Sequence, residues 1–152
     1  FRDGMSGVQV HMTNTSNLPV EVLEMENPLL VESYSLRTDS GGAGKFRGGQ
    51  GIERTICMLA DNVRFTGHGG RQFIPAWGLA GSFYLHRRDG SEERLSSVCT
   101  GVQLNRGEKI QVLTPGGGGF GNPRLRSRES VLRDLEDGKI SQEQAYRIYG
   151  LE

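Results

Sequence analysis

The chain has no excess of charge, no long apolar run and no close pair of cysteines. Its 18 basic residues balance its 18 acidic ones. This balance disfavours a nucleic acid or an anionic membrane as the main partner, because both attract a basic excess. No apolar run approaches the roughly 20 residues that cross a bilayer, and no signal peptide is recognisable. Cys57 and Cys99 lie far apart in strand-like segments, which predicts two buried, reduced thiols in a cytoplasmic protein.

Common catalytic and metal-binding spacings are also missing. The three histidines show no HExxH or other close-pair spacing, and the two cysteines form no CxxC. No Gly-x-Ser-x-Gly elbow is present, so Ser40 is expected to cap a turn with Asp39 rather than to act as a nucleophile. His11 could join carboxylates such as Glu21 only if the fold brings them together. We therefore predict that this chain alone holds no metal.

Glycine is the residue present in excess, with 23 in 152 residues, about twice the usual share. Six of these glycines lie between Asp39 and Arg54, and a second glycine-rich stretch runs from Thr114 to Pro123. Glycine supplies positive φ angles, tight turns and places where another group can approach the main chain closely. The sequence therefore predicts a β-scaffold that carries two glycine-rich loops.

The first glycine-rich stretch nearly matches the spacing of a phosphate cradle, with Gly42-x-Gly44 followed by Gly48. Such a cradle works when the loop leads from a strand into the N-terminus of a helix, whose amides face the anion. Here the residues that follow, from Glu53 to Ile56, are typical of a strand. Tight turns between strands or contact with a neighbouring subunit are the favoured interpretation, and nucleotide binding is the alternative.

Alternating apolar residues and turn signals predict the strands. The expected strands and hairpins are Val8 to Met12, Leu30 to Leu36, Ile52 to Leu59 with Val63 to Thr66 as its hairpin partner, Phe83 to Arg87 with Ser91 to Leu95, and Val102 to Leu104 with Lys109 to Leu113. The Asp89-Gly90 pair between two of them favours a two-residue primed turn. Val20 to Met25 could be a short helix or a strand. Residues 67 to 78 have no regular period and are expected to form a long loop.

The pattern changes at Pro123. Ser127 can cap a short helix that Gly138 stops, and Ser141 opens a second helix with a capping box. We predict a mainly β fold, α+β overall: a β-sandwich-like body with two glycine-rich loops at residues 1–123. A short C-terminal helical hairpin at residues 124–152 would dock on this body or on a partner.

The ordered motifs resemble the C-terminal part of the hydantoinase B/oxoprolinase family. The resemblance covers essentially the whole chain. The matching pieces are His11-Met12-Thr13-Asn14-Thr15 followed by Asn17, Pro19, Glu21 and Glu24, then Pro28-Leu29-Leu30-Val31-Glu32-x-Tyr34, Asp39-Ser40-Gly41-Gly42-Ala43-Gly44-Lys45-Phe46-Arg47-Gly48-Gly49-x-Gly51, Pro75-x-Trp77-Gly78-Leu79, the loop from Pro115 to Gly121, and Val131, Asp134, Gly138, Ser141, Ala145 and Tyr149-Gly150 in the tail.

The resemblance implies a C-terminal fragment or chain of an ATP-dependent hydantoinase or 5-oxoprolinase type of amidohydrolase. Such a protein opens lactam or cyclic imide rings with a hydantoinase A-type partner that binds ATP and would phosphorylate the amide oxygen. ATP and a divalent metal are implied for the whole complex, and none for this chain alone. The opening at Phe1 predicts a fragment, so the remainder of the B-type subunit is an expected partner and the isolated chain is expected to be inactive.

Three alternatives stay open: a part of a related ATP-dependent ketone carboxylase, a non-catalytic structural or assembly domain, and a free-standing carbohydrate- or anion-binding β-sandwich. The candidate site residues follow from the matched motifs. The catalytic candidates are His11, Thr13, Asn14, Glu21, Asp39 and Arg47. The candidates for a loop that contacts substrate or partner are Ser40, Gly41, Gly42, Gly44, Gly48 and Gly49.

Overall fold

A computed structural model describes residues 2–8, 17–69 and 78–151. Strands dominate these residues, as predicted, and the helices are short. In chain order the elements are α1 (Val20–Glu26), β1 (Leu29–Leu36), β2 (Ile52–Met58), β3 (Val63–His68), β4 (Ser82–His86), β5 (Glu92–Leu95), β6 (Val98–Leu104), β7 (Lys109–Leu113), α2 (Arg128–Glu136) and α3 (Gln142–Arg147). None of the helices in the described ranges is long and apolar enough to span a membrane.

The strands form two antiparallel sheets. Five strands pair in the order β1-β2-β7-β4-β5, and β3 pairs with β6 in a second sheet. In the larger sheet Ile56 lies opposite Ile110, which in turn lies opposite Leu85. Because side chains on neighbouring strands at one register position share a face, these three residues line the same side of the sheet.

The main core lies between the two sheets. Leu85, Leu104 and Ile110 are completely buried, and they come from both sheets. Phe65 of β3 meets Phe83 of β4 edge to face, with ring centroids 5.7 Å apart, an arrangement favoured by the ring quadrupoles. Burying each large apolar side chain contributes about 1.5–3 kcal/mol. The predicted sandwich-like packing is confirmed.

Two predicted hairpins are wrong, although their strands exist. Val63 to Thr66 lies in β3 but does not pair with β2, because both edges of β2 are occupied by β1 and β7. Likewise β6 and β7 are consecutive but belong to different sheets. The turn between them carries the chain from one sheet to the other, with Gly107 at φ 84°. The amide of Gly107 donates to the carbonyl of Met58 over 2.8 Å.

The hairpin of β4 and β5 is confirmed, but its turn is not the primed turn expected. Only Gly90 has a positive φ, of 83°. The carboxylate of Asp89 instead accepts from the amide and hydroxyl of Ser91, over 2.9 and 2.6 Å. A type I turn followed by a left-handed glycine is the usual form of such a three-residue loop.

The segment after Pro19 and the two cysteines were further subjects of prediction. The ambiguous segment after Pro19 is a helix, α1, and Glu24 within it accepts from the amide of Val31 over 2.7 Å. Cys57 and Cys99 are free thiols, as expected, but they are half-buried rather than buried. Most of the strand expected at residues 8 to 12 and most of the loop expected at residues 67 to 78 lie outside the described ranges.

The tail forms the two helices that the sequence predicts. Ser127 caps α2 and Ser141 caps α3, each hydroxyl accepting from an amide three residues later. Gly138 follows α2 at φ 67°, the left-handed conformation that stops a helix. A second small core joins the helices to Ala43 of the first glycine-rich loop; its buried members are Val131, Ile140, Ala145 and Tyr149. A domain boundary at residue 123 stays a prediction.

Candidate functional site

The two glycine-rich segments lie side by side. We define the first glycine loop as residues 39–51 and the second glycine loop as residues 114–121. The amide of Gly42 donates to the carbonyl of Gly117, and the amide of Gly117 donates to the carbonyl of Gly49, each over 2.8 Å. Phe46 and Phe120 exchange two backbone hydrogen bonds of 3.0 and 2.9 Å. The loops therefore pair along their length as irregular strands do.

Close approach of the two backbones explains why glycine is needed. A Cβ on Gly48 would overlap the carbonyl of Gly117, and a Cβ on Gly116 would overlap the carbonyl of Ser40. Within these two loops only Asp39 and Gly121 have positive φ angles. Most of the loop glycines thus remove side-chain volume rather than supply left-handed backbone.

The same contacts argue against a phosphate cradle in the first glycine loop. Three amides of this loop already have acceptors. That of Gly42 donates to the carbonyl of Gly117, that of Gly48 to the carbonyl of Gly42, and that of Gly51 to the hydroxyl of Ser40. The loop also leads into β2 rather than into a helix, so no helix N-terminus faces an anion there. Packing between the loops, not nucleotide binding, fits this geometry.

Ser40 closes the first glycine loop. It is completely buried. Its hydroxyl donates to the carbonyl of Arg37 over 2.5 Å and accepts from the amide of Gly51 over 2.9 Å. Both bonds of the hydroxyl are to backbone, and no base activates it. Ser40 therefore holds the loop shut, in agreement with the capping role expected from the sequence.

Asp39 joins the first glycine loop to α3. Its backbone is left-handed, with φ 61°. Its carboxylate accepts from the amide of Ser141 over 2.7 Å, and its carbonyl accepts from the side-chain amide of Gln144 over 3.3 Å. In a capping box the third helical residue would bond the amide of the capping serine. Asp39 occupies that position instead, so this helix is capped partly by the loop.

A buried ion-pair cluster lies at the other end of the first glycine loop. Asp134 of α2 accepts from Nε of Arg47 over 3.2 Å and from Nη2 of Arg126 over 2.7 Å. All three side chains are only 4–5% exposed. Arg47 also donates to the carbonyl of Gly48 over 2.6 Å. Buried charges persist in proteins when they are paired and hydrogen-bonded, as these are.

Asp3 completes the ion-pair cluster, which we define as Asp3, Arg47, Arg126 and Asp134. Arg126 forms two hydrogen bonds of 2.7 Å to the carboxylate of Asp3. The amide of Arg47 donates to the same carboxylate over 2.8 Å. The cluster ties together the N-terminal segment, the first glycine loop and the C-terminal tail. Arg126 and Asp134 were not predicted as partners of Arg47, because nothing in sequence spacing pairs such distant residues.

Two members of the ion-pair cluster, Asp3 and Arg126, hold each other in their charged forms. The hydrogen bond from Arg126 lowers the pKa of the Asp3 carboxyl below its usual 3.8, and the same bond raises the pKa of Arg126. Both groups therefore stay ionised around neutral pH and cannot exchange protons there. Nearby, burial raises the pKa of the Tyr149 hydroxyl, which stays neutral. Asp3 and Arg126 therefore hold the N-terminal segment to the tail and are unsuited to general acid–base catalysis near neutral pH.

The predicted catalytic residues are not gathered in one described place. His11, Thr13 and Asn14 lie outside the described ranges. Glu21 is exposed in the first turn of α1, whereas Asp39 and Arg47 make the structural contacts given above. No group of three His, Cys, Asp or Glu side chains among the described residues could hold a metal ion. The catalytic roles of these candidates, and a substrate or partner role for the first glycine loop, stay predictions.

An open cavity adjoins the first glycine loop, and we call it the Arg54 cavity. Its volume is about 520 Å³, and its lining includes Met5, Asn17, Tyr34, Ile52, Arg54 and Val112. The guanidinium of Arg54 stacks over the Tyr34 ring, with 5.3 Å from its carbon to the ring centroid. Asn17 donates to the Tyr34 hydroxyl over 2.8 Å. Arg54 was not among the residues predicted from the sequence. The feature that could have identified it is a charged residue that alternates with Ile52 and Ile56 and therefore shares their face of the strand.

The family profile described as Hydantoinase B/oxoprolinase matches residues 1–123. The chain belongs to this family. A putative D-/L-hydantoinase B component from Pseudomonas sp. strain NS671 is 36% identical over 99% of this chain and 26% of its own length. The resemblance expected from the motifs is therefore confirmed.

Two solved structures share the fold. The ATP-dependent caprolactamase from Pseudomonas jessenii matches with a TM-score of 0.74 and 36% identity, covering 87% of this chain and 24% of that one. The nucleotide-free acetone carboxylase matches with a TM-score of 0.84 over 99% of this chain and 25% of that one. At 21% identity, the carboxylase supports the fold alone. The chain thus spans about a quarter of the length of each of these three proteins.

Proposed function

We propose that this chain works within an ATP-dependent enzyme that hydrolyses a cyclic amide. The observation that carries the proposal is the 36% identity and TM-score of 0.74 to the ATP-dependent caprolactamase, spread over 87% of the chain. The match to a hydantoinase B component of the same family supports the same class of substrate. A ketone carboxylase is the second candidate, favoured by the fold of acetone carboxylase.

ATP would make the reaction possible because an unstrained lactam is a poor electrophile. Transfer of the γ-phosphoryl group to the amide oxygen would activate the ring carbon toward water, and the C–N bond would then break as the protonated ring nitrogen leaves, which gives an acyl phosphate. Attack of a second water on the acyl carbon would release the ring-opened carboxylate and inorganic phosphate, which carries the former amide oxygen. Several amides of the two glycine loops donate to carbonyls of the other loop. We therefore assign ATP to an A-type partner subunit, and place this chain beside the lactam rather than beside the nucleotide.

A divalent metal, which the family resemblance implies for the complex, does not fit the described part of this chain. No triad of metal-ligating side chains is present in residues 2–8, 17–69 and 78–151. No step of the reaction is therefore assigned to metal held here. This chain supplies the two paired glycine loops and the Arg54 cavity beside them. The volume of the cavity, about 520 Å³, is within the size range of small-molecule sites.

The test is the release of ADP by the purified assembly that contains this chain. 5-Oxoproline, hydantoin and caprolactam are supplied singly, and acetone with bicarbonate tests the carboxylase candidate. We expect ADP release above background with at least one cyclic amide, together with its ring-opened product. Release with acetone and bicarbonate alone would replace the amide hydrolase by the carboxylase. Release with none of these substrates would remove both candidates.

A variant of this chain shows whether it takes part in the reaction. Arg54→Gln changes the cavity, and Arg64→Gln is the matched control, because Arg64 is exposed on β3 in the other sheet. We expect the first variant to lower lactam-dependent ADP release and the second to leave it unchanged. Equal activity of both variants and the parent protein would limit this chain to a structural role, the alternative kept open from the sequence.

A further inference from the structure

Two aromatic side chains lie together where the glycine loops meet. Phe46 of the first glycine loop and Phe120 of the second glycine loop are antiparallel bridge partners. Their side chains therefore share one face of the paired loops, and we call them the aromatic pair. Phe120 is 60% exposed, and Leu125, in the turn that follows, is 65% exposed. Neighbouring exposed apolar side chains of this kind are typical of a surface that another polypeptide covers.

The backbone that carries the aromatic pair is held from two sides. A Cβ on Gly44 would overlap the backbone of Phe120, so the loops touch main chain to main chain at this point. From the tail, Nη1 of Arg126 donates to the carbonyl of Lys45 over 3.1 Å. The two aromatic residues are thus fixed in position before anything covers them, which lowers the entropic cost of a contact made there.

Little else of the first glycine loop faces outward. Residues 40–42, 44 and 47–51 are buried, whereas Lys45 is exposed and Phe46 is half-buried. The ammonium of Lys45 lies 5.8 Å from the centroid of the Phe46 ring. A contact between this loop and another polypeptide would therefore be made mainly through these two residues, with apolar surface beside a positive charge.

The N-terminal segment is directed from the aromatic pair into the domain. The amide of Gly4 donates to the carbonyl of Arg47 over 2.8 Å, and the amide of Gly7 donates to the carbonyl of Gln50 over 2.9 Å. The two segments therefore run side by side in the same direction. Followed backward along this line, the chain leads toward residues 44–46, so polypeptide that precedes it would enter beside the aromatic pair.

The relatives contain such additional polypeptide. The hydantoinase B component and the caprolactamase each share only about a quarter of their length with this chain. The matched motifs resemble the C-terminal part of the family, so the additional residues of such a subunit precede the matching part. Arg2 and Lys45 are exposed near this point, and their charges would favour carboxylates in the segment that lies against them.

We propose that, in the intact subunit, polypeptide that precedes residue 1 covers the aromatic pair through an apolar segment with a carboxylate close to Lys45. Phe46 and Phe120 are then buried within one subunit and do not contact an A-type partner subunit. The proposal rests on membership of the family and not on the proposed function, because the contact is the same whichever substrate the assembly uses.

Photo-crosslinking in the purified assembly identifies what lies against the aromatic pair. The photoreactive residue p-benzoylphenylalanine replaces Phe120 in one sample and Met25 in the matched control, because Met25 is 86% exposed on α1. After irradiation, the linked peptides are identified by mass spectrometry. We expect position 120 to link to residues of the same subunit that precede residue 1, and position 25 to give no link to that segment.

Two results of this experiment would overturn the proposal. A link from position 120 to an A-type subunit would place the aromatic pair at an interface between subunits. No link above the level of the Met25 control would leave the pair in contact with solvent. An intact subunit in which no residue precedes Phe1 would overturn the proposal as well.

The melting temperature of the full-length subunit gives a second measurement that needs no photoreactive residue. Phe120→Gln removes apolar surface that the proposal buries, whereas Met25→Gln changes an exposed side chain. We expect Phe120→Gln to melt at least about 3 °C below the parent subunit and Met25→Gln to melt within about 2 °C of it. Equal melting temperatures of all three proteins would contradict burial of the aromatic pair.

Discussion

Removing the charge of Asp134 should break the ion-pair cluster and lower the stability of the folded protein. Asp134→Asn keeps the size of the side chain but leaves Arg47 and Arg126 facing each other with only Asp3, which is partly exposed. Breaking a buried pair by removing one partner costs about 3–5 kcal/mol, because a buried charge is left uncompensated. For a chain of this size each kcal/mol lowers the melting temperature by about 2–4 °C.

We therefore expect Asp134→Asn to melt about 10 °C below the parent protein in a thermal unfolding scan followed by circular dichroism. Asp137→Asn is the matched control, because Asp137 pairs with Lys139 over 2.6 Å at the surface. Exposed pairs of this kind contribute little, so the control should melt within about 2 °C of the parent. If both variants melt together with the parent, the cluster does not fasten the tail to the first glycine loop and this reasoning is wrong.

Three more predictions follow from the same contacts. The pKa of Asp3 is lowered in the folded state, so its stabilising contribution is complete above about pH 5 and is lost as pH falls through the folded pKa. The melting temperature of Asp3→Asn should therefore fall less than that of the parent protein between pH 5 and pH 3. The pKa of Tyr149 is raised above 10.0, so stability should fall as pH rises beyond 10, and Tyr149→Phe should reduce that fall in melting scans across the range. In Gly116→Ala the new Cβ would overlap the carbonyl of Ser40, whereas in Gly138→Ala it would meet nothing within 4 Å. Urea titration should therefore show that the free energy of unfolding falls by about 3 kcal/mol in Gly116→Ala and by about 1 kcal/mol in Gly138→Ala. Equal losses in the two variants would contradict the argument that close backbone approach requires glycine at position 116.

Local patterns in the sequence predicted the elements better than their pairing. The strand β2 and the helix caps at Ser127 and Ser141 are set by neighbouring residues, and the structure has them as expected. Sheet pairing depends on which edges remain free after other strands have paired. Short loops favoured hairpins for β3 and β7, but β7 joins β2 and β4 in the larger sheet, which leaves β3 to pair with β6.

The glycine loops show the same division between local and distant causes. Their glycine content predicted close approach to the main chain, yet the partner of each loop is the other loop, which is remote in sequence. Asp134 and Arg54 were missed for related reasons. The partners of Asp134 are spread over the chain, and the stacking of Arg54 over Tyr34 is visible only once its neighbours are placed.

The most direct test of the account follows the carbonyl oxygen of the lactam. A cyclic amide labelled with ¹⁸O at that oxygen is supplied with ATP to the purified assembly, and the inorganic phosphate formed is examined by mass spectrometry. If phosphate leaves with the former amide oxygen, one labelled oxygen should appear in phosphate for each ring opened. Ring opening without ATP, or phosphate that carries no label while the ring opens, would contradict ATP-dependent activation of a cyclic amide by the enzyme to which this chain is assigned.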